Sequence, residues 1–395
     1  MIIDIHRHNA VRMLLLTVIA IIMAGCELPK DKIIDYSELA GTITGFSRPT
    51  YMKCVGNHLF VVDDNGLYRL NLAQIDFSGD TVSSADLLYR NNSIASYGRI
   101  KHFDVSGSDL FLITYNSDSS YHYILKIDMT AASLTDGLSH YTLPNNRSAN
   151  YITVCGDSLV ISGNANITFK GYKTTDASGD IIFDTTTDYR YAYDYDDVDN
   201  ITVTSMKPIA YQNGNKYNIF LVSCDTDQMG IRKYLCDTDL TSDRNIHLKS
   251  TCKTTLYPLD IQFKPNDNNT IISSEVSGVV LYSVATNTDD TVTLTKTNTI
   301  GLGEDNGAMK TLPYGDDKLV TLYGYQVKAN EYDEHAYDIM AYWYGAKVIS
   351  DAYTGNAQVT KSYTIEGWGT DFAIFDDYIL TANQVKNCIN IIKLD

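Results

Sequence analysis

The chain has 395 residues, a formal net charge of −17 and a pI near 4.8, so the phosphate backbone of a nucleic acid would be repelled. No basic patch offsets this charge, which excludes nucleic acid as an expected partner. Thirty Tyr accompany abundant Thr, Val and Ile, Pro occurs only 7 times, and no helical periodicity follows the first 30 positions. The composition predicts an all-β protein.

The N-terminus has the pattern of a secretory signal peptide, residues 1–25. Arg7 and Arg12 precede an apolar run, Met13 to Gly25, which is shorter than the roughly 20 residues that cross a bilayer as a helix. The run ends in Met23-Ala24-Gly25-Cys26, which resembles a bacterial lipobox with Met in place of the commoner Leu. The resemblance implies that Cys26 is lipidated and begins the mature chain.

Residues 26–34 then form the lipidated cysteine and a tether, because Glu27 to Lys32 is short, charged and contains Pro29. We therefore expect an exported protein, lipid-anchored to a bacterial membrane and facing the periplasm or the cell surface, with its folded domain in residues 35–395.

Six further cysteines remain in a chain expected to reach an oxidising compartment. Cys224 with Cys236, or Cys236 with Cys252, flank probable hairpin turns and are candidates for a cross-strand disulfide, and the spacings do not choose between them. For Cys54 and Cys155 we expect unpaired burial in strands. The pairing state of Cys388 stays open, and no Cys/His cluster indicates zinc.

Seven related units follow one another at intervals of about 50 to 60 residues, the spacing of a propeller blade. Each has a Gly, Asn or Asp turn, an apolar strand, a second turn and another strand. The apolar strands are Leu59 to Val62, Leu110 to Ile113, Leu159 to Ile161, Ile219 to Val222, Ile271-Ile272, Leu319 to Leu322 and Tyr378 to Leu380.

The first unit, Val55 to Leu70 (VGNHLFVVDDNGLYRL), resembles the LVIVD-type repeat of bacterial exported β-propellers. The resemblance implies a propeller and little about ligand or activity. Seven four-stranded blades fit the chain best, and six or eight also fit its length. The last unit stops after its third strand, so Leu39 to Phe46 is predicted to complete that blade and close the ring. The acidic turn Asp63-Asp64-Asn65-Gly66 is interpreted as a structural hairpin.

A first candidate site is Asp184 to Asn200, in a connection predicted to lie on the ligand-binding face. Its alternation predicts an extended segment that presents a row of tyrosines to a sugar or a protein, and the alternative is an outer strand with those rings packed on its neighbour. Nearby carboxylates could hold Ca²⁺, although Val198 and Ile201 break the EF-hand spacing, and no other cofactor is expected. The candidate ligand-binding residues are Tyr189, Tyr191, Tyr193, Tyr195, Asp194 and Asp196.

A second candidate is Tyr323 to Asp338, predicted as an enlarged loop in the sixth unit. Carboxylates beside a histidine can bind a ligand or transfer protons, but adjacent polar residues in a long hairpin are usually only solvated. The residues concerned are Glu331, Asp333, Glu334 and His335.

These features favour a lipid-anchored envelope propeller that binds or scaffolds a protein or glycan, with no catalysis expected. The alternative is an envelope hydrolase or lyase with an acidic site in the central channel. That alternative predicts Asp, Glu or His side chains converging from at least three blades.

Overall fold

The protein is described here from a computed structural model, which describes residues 36–77, 80–82, 86–91, 97–130, 138–143, 149–163, 166–172, 183–192, 207–223, 230–237, 246–254, 258–303, 306–328 and 337–394. Over these ranges the chain is almost entirely β-structure, with a single 3₁₀ turn at Leu72–Gln74. None of the helical structure in these ranges is long and apolar enough to span a bilayer.

The described strands, in chain order, are β1 (Gly41–Thr44), β2 (Tyr51–Val55), β3 (His58–Val62), β4 (Gly66–Asn71), β5 (Asp80–Val82), β6 (Asp86–Arg90), β7 (Arg99–Ser106), β8 (Asp109–Asn116), β9 (Tyr121–Asp128), β10 (Leu138–Thr142), β11 (Tyr151–Cys155), β12 (Ser158–Gly163), β13 (Asn166–Tyr172), β14 (Phe183–Ala192), β15 (Ile209–Asn213), β16 (Lys216–Ser223), β17 (Gly230–Asp237), β18 (Ile246–Lys253), β19 (Pro258–Lys264), β20 (Asp267–Glu275), β21 (Gly278–Thr286), β22 (Val292–Ile300), β23 (Asn306–Tyr314), β24 (Lys318–Lys328), β25 (Tyr337–Ser350), β26 (Gln358–Glu366), β27 (Gly369–Phe375), β28 (Tyr378–Asn383) and β29 (Cys388–Lys393).

The described strands form seven sheets, six of four strands and one of five, and we number the sheets by the chain order of their first strands. Sheets 1 to 6 begin with β2, β7, β11, β15, β19 and β23, and sheet 7 has the order β27-β28-β29-β1-β5. First strands of successive sheets contact one another from β7 round to β27, which also contacts β2. This radial arrangement of antiparallel sheets is a β-propeller, as the sequence predicts.

The ring is closed by the N-terminal strand. Strand β1 pairs antiparallel with β29, placing Ile43 opposite Ile389, and β5 adds to the outer edge of β1 in parallel. The predicted closure by Leu39 to Phe46 is therefore confirmed. Residues from both ends of the domain complete one sheet, so the ring cannot open without breaking that pairing.

The acidic turn of the first unit is a structural device, as predicted. Asp63 is buried, and one carboxylate oxygen accepts hydrogen bonds from the backbone N–H groups of Asn65 (2.7 Å) and Gly66 (3.0 Å). Its other oxygen accepts from the N–H of Ser47 at 2.8 Å. Asn116 and Asn383 cap the corresponding turns of sheets 2 and 7 with the same side-chain-to-backbone geometry.

The cores lie between neighbouring sheets and are built from the apolar runs that define the repeats. Leu59, Leu110, Leu159, Leu319 and Leu380 are fully buried, one in the second strand of each of five sheets. Each inter-sheet cluster combines side chains of adjacent sheets, so every blade depends on its neighbours for its core.

Five cysteines lie within the described residues, of which Cys54, Cys155, Cys236 and Cys252 are free, and the thiol of the fifth, Cys388, donates to Oδ1 of Asn390 at 3.5 Å. The candidate Cys236–Cys252 disulfide is wrong, because strand register places Cys236 opposite Ile246 and Cys252 opposite Ile231. The Cys224–Cys236 alternative fails because Cys236 is free, while Cys224 lies outside the described residues. Both Cys54 and Cys155 are unpaired as predicted, but only Cys155 is buried and Cys54 is half-buried. Removal from water raises their pKa values to about 12 for Cys54 and about 11 for Cys155.

Candidate functional site

The first predicted site is described only in part. Tyr189 and Tyr191 lie in β14, the outermost strand of sheet 3, where their backbones pair with Phe169 and Ile167. The outer-strand alternative therefore holds for the backbone as far as Ala192, because ladder hydrogen bonds to β13 extend the sheet into the expected connection. Tyr193, Asp194, Tyr195 and Asp196 lie outside the described residues, and ligand binding by this segment stays a prediction.

The second predicted site is shorter than the sequence indicates. Strands β24 and β25 pair as far as Lys328 opposite Tyr337, so Tyr323 to Lys328 is strand, and residues 329–336 lie outside the described residues. The predicted loop begins later than expected because the backbone pairing of β24 with β25 continues beyond the apolar run Leu319 to Leu322. The candidate residues Glu331, Asp333, Glu334 and His335 therefore lie outside the described residues. So does the lipidation candidate Cys26.

The described residues enclose a different site, a cavity of about 650 Å³ along the central channel. First strands of all seven sheets contribute to its lining. A volume of this size is typical of pockets for small ligands. Its charged lining residues are Lys53, Lys101, Lys207, Lys310, Asp260 and Asp371.

The charged residues of this lining are mainly positive, whereas the whole chain is negative. Four lysines and two aspartates line the channel of a protein whose net charge is −17. A charge enclosed by low-dielectric walls attracts a ligand of opposite charge more strongly than the same charge on an open surface does. The channel therefore favours an anionic ligand.

One junction at the channel wall joins sheets 6, 7 and 1. The Lys310 ammonium lies 2.6 Å from Oδ1 of Asp371, whose Oδ2 accepts a hydrogen bond from the backbone N–H of Met52 at 2.8 Å. Burial opposes protonation of Lys310, but the carboxylate of Asp371, together with Tyr51 and Asp260, outweighs it and raises the lysine pKa. Asp371 thus links sheet 7, the sheet that closes the ring, to both neighbouring sheets.

A second junction has the same arrangement two sheets further along the ring, across sheets 1, 2 and 3. The ammonium of Lys53 donates to Oδ1 of Asp104, and the backbone N–H of Val154 donates to Oδ2 at 2.9 Å. Burial opposes ionisation of Asp104, but the nearby ammonium groups of Lys207 and Lys53 outweigh it and lower its pKa. In both junctions, a lysine from the preceding sheet and an N–H from the following sheet hold one aspartate.

Asp260, in the first strand of sheet 5, has different surroundings. Burial raises its pKa to about 6, against the opposing effects of Lys310 and Lys207 and with the help of the Asp371 charge. Tyr51 and Tyr151 also lie within electrostatic range of this carboxyl. Asp260 is therefore a carboxyl group that titrates close to neutral pH inside the channel.

His102 lies between two tyrosines of neighbouring sheets, with ring-centroid distances of 4.2 Å to Tyr51 and 5.1 Å to Tyr151. Burial, followed by the charge of Lys207, lowers the pKa of His102 well below its usual value, so the ring is neutral at pH 7. Its Nδ1 accepts from the backbone N–H of Ile152 at 3.4 Å, which leaves the proton on Nε2. In the described structure that Nε2–H group is buried and has no acceptor.

On sheet 7, two large apolar side chains face solvent. Trp368 is 48% exposed and directly precedes β27, while Val385 is 65% exposed in the turn between β28 and β29. The two segments are joined by a hydrogen bond of 3.0 Å from the N–H of Gln384 to the carbonyl of Trp368. Beside them Lys386 pairs with Glu366 at 2.7 Å. We call these four side chains, Trp368, Val385, Glu366 and Lys386, the Trp368 patch.

Comparison with known proteins yields structural likeness only. No family model matches the chain, and no curated protein matches it in sequence. The periplasmic gluconolactonase PpgL of Pseudomonas aeruginosa is similar in structure, with a TM-score of 0.54 and 12% identity over 88% of this chain and 91% of that one. Hydrazine synthase of Kuenenia stuttgartiensis has a TM-score of 0.51 and 9% identity, covering 93% and 99% of the two chains. At these identities the likeness shows the fold alone.

Sequence reasoning missed the channel residues. Each of these charges lies in the first strand of its sheet, a few positions before the turn that ends the strand, namely Lys53, Asp104, Asp260, Lys310 and Asp371. A charged residue on an expected innermost strand was the available signal. It could not show which of these charges pair with one another, because the partners come from different units.

Proposed function

We propose that the protein is an exported, lipid-anchored binding module of the bacterial cell envelope, which captures a protein or glycan with the face that carries Trp368. The signal peptide pattern and Cys26 support the anchor. The LVIVD-type resemblance of the first unit supports an exported propeller, and no catalysis is required of it.

The exposed Trp368 and Val385 carry this proposal. Tryptophan is enriched among the residues that dominate the binding energy of interfaces, because its ring buries a large area with little loss of side-chain freedom. Here such a ring lies exposed, and the segment that carries Val385 and the Lys386–Glu366 ion pair is hydrogen-bonded to the backbone of the same residue. An apolar centre with a polar rim is the usual anatomy of a binding face.

The test compares the full chain with Trp368→Ala in a pull-down from envelope extract and on a glycan array. Leu248→Ala is the matched control, since Leu248 is also an exposed apolar residue but lies on β18, the outermost strand of sheet 4. We expect at least ten-fold weaker capture by Trp368→Ala and unchanged capture by Leu248→Ala. Equal capture by both variants would remove the Trp368 patch from the proposal. A third variant, shortened within residues 184–200, tests the tyrosine segment separately.

The anchor has its own test. In cells fed labelled palmitate, the wild-type chain should become labelled and stay in the membrane fraction. The Cys26→Ser variant should remain unlabelled and be released from that fraction. Labelling of Cys26→Ser would contradict lipidation at that residue.

A hydrolase or lyase that acts in the channel is the second candidate. It is favoured by Asp260, whose pKa of about 6 suits a general acid or base, beside His102 and the tyrosines. Among the described residues, no three His, Cys, Asp or Glu side chains lie close enough together to hold a metal ion. Turnover of any lactone or glycan that is abolished in Asp260→Asn would favour this candidate over pure binding.

A further inference from the structure

Three polar groups that line the channel have donor hydrogens and no acceptor. Nε2 of His102 and Nε2 of Gln262 are both buried and unpaired within the described structure. The ammonium of Lys207 likewise makes no hydrogen bond or ion pair there, although it lies close enough to lower the pKa values of both His102 and Asp104. The three donors come from three directions, because His102 is in sheet 2, Gln262 is in sheet 5 and Lys207 immediately precedes sheet 4.

Buried donors without acceptors are uncommon in folded proteins, because each costs the free energy of its lost hydration. The His102 side chain is only 2% exposed, so bulk solvent does not supply the acceptor. A ligand that brings acceptor oxygens into the cavity would satisfy these donors, and a negative charge on that ligand would pair with Lys207.

The charge balance of the channel selects the kind of anion. The Lys53–Asp104 and Lys310–Asp371 pairs each cancel, and ionised Asp260 offsets one of the two remaining lysines, Lys101 and Lys207, which leaves one net positive charge. One free positive charge fits a monoanion better than a dianion. The donors are side chains, and no helix N-terminus, the usual phosphate cradle, lies among the described lining residues.

We propose that the central channel binds a small organic monocarboxylate, whose carboxylate group accepts hydrogen bonds from Lys207 and from Nε2 of His102. Gln262 then donates to an oxygen on the body of the ligand. The cavity of about 650 Å³ accommodates a molecule the size of a sugar acid. This site is distinct from the Trp368 patch, and it does not depend on the face-binding function proposed above.

Asp260 makes the binding pH-dependent. Its carboxyl faces Lys310, Lys207, Asp371, Tyr51 and Tyr151, and it ionises near pH 6. Above that pH, its negative charge competes with the ligand for Lys207 and repels the ligand carboxylate. The protonated form removes both effects, so affinity should be higher at pH 5.5 than at pH 7.5.

The experiment is calorimetric titration of the full chain in detergent with glucuronate, and with glucose as a neutral probe of the same ring size. Four proteins are compared: wild type, Lys207→Met, Lys207→Arg and Lys253→Met. Lys253 is the matched control, because it is an exposed lysine on the outermost strand of sheet 4. Thermal melts establish that each variant is folded.

We expect wild type to bind glucuronate and to ignore glucose. Lys207→Met should bind glucuronate at least ten-fold more weakly, while Lys207→Arg and Lys253→Met stay within about three-fold of wild type. Equal binding of glucose and glucuronate, binding of inorganic phosphate in preference to glucuronate, or unchanged affinity in Lys207→Met would each overturn the proposal. So would a wild-type protein that binds no glucuronate at millimolar concentration.

Two further arms separate this site from the face. Asp260→Asn should bind glucuronate equally at pH 5.5 and pH 7.5, whereas wild type should lose several-fold in affinity over that interval. Trp368→Ala should bind glucuronate as wild type does, and Lys207→Met should keep the face interaction. Loss of one interaction without the other shows which of the two proposals has failed.

Discussion

The two sides of the channel differ in how their aspartates are held. On one side, formed by sheets 6, 7, 1, 2 and 3, Asp371 and Asp104 each bridge a lysine of the preceding sheet and a backbone N–H of the following sheet. On the other side, formed by sheets 4 and 5, Asp260 has no such lysine contact and Lys207 makes no ion pair within the described structure. The same residue types thus hold the ring together on one side and stay available on the other.

The difference separates stability from function. The side on which the aspartates are paired includes sheet 7, in which the N-terminal strand β1 pairs with the C-terminal strand β29. There Asp371 links sheet 7 to sheet 6 through Lys310 and to sheet 1 through the backbone of Met52. The available side carries a carboxyl with a raised pKa and an unpaired ammonium, and perturbed, unpaired groups of this kind cluster at functional sites. Substitutions on the held side should therefore affect folding, and those on the available side should affect binding and its pH dependence.

The largest effect is expected for Asp371→Asn. Asn is similar in shape, so the main change is that the Lys310 ammonium is left unpaired inside the channel wall, at a cost of about 3 to 5 kcal/mol in the free energy of unfolding. Urea denaturation at pH 7.5 measures the loss. In a double-mutant cycle with Lys310→Met, the double variant should be less destabilised than the sum of the two single variants. Additive losses would show that the pair is not coupled.

A smaller loss, about 2 kcal/mol, is expected for Asp104→Asn, because Lys53 is partly exposed and regains water when its partner is removed. The lowered pKa of Asp104 makes its contribution fully present above the usual aspartate pKa, and the contribution disappears as the pH falls through the lowered value. The difference between variant and wild type should therefore shrink in strong acid. A difference that grows on acidification would contradict this assignment.

Asp260→Asn should act in the opposite direction and stabilise the protein. Its raised pKa means that the folded state binds the proton more tightly, so wild-type stability falls as the pH rises from the usual aspartate pKa to about 6. At pH 7.5 the variant should be more stable by on the order of 1 to 2 kcal/mol, and at pH 4 the two proteins should be equal. Equal denaturation midpoints at both pH values would show that Asp260 is solvated like a surface carboxylate.

The smallest effect is expected for reductant. Cys54, Cys155, Cys236 and Cys252 are free, so dithiothreitol should change the free energy of unfolding by less than about 0.5 kcal/mol, against about 2 to 4 kcal/mol for loss of a disulfide. Paired urea titrations with and without dithiothreitol measure this. A fall of the larger size would reveal a bridge and would overturn the register that separates Cys236 from Cys252.

The fold was predictable because its signals are local and repeated. Runs such as Leu59 to Val62 bury themselves in any propeller blade, and turns such as Asp63 to Gly66 need only residues within a few positions. Closure by β1 followed from an incomplete last unit and unpaired apolar residues near Ile43. The register that keeps the cysteines apart was not predictable, because several pairings satisfy the same spacing.

The sequence by itself determined the all-β propeller class, the repeating order of turns and apolar strands, and closure by an N-terminal strand, since turn chemistry and apolar runs act over a few residues. Only the tertiary structure decided which charges meet in the channel. Lys310, Asp371 and Met52 are far apart in sequence and are brought together by ring closure. Whether an aspartate is held, like Asp371, or titrates near pH 6, like Asp260, depends on which sheets flank it, and that is a property of the closed ring.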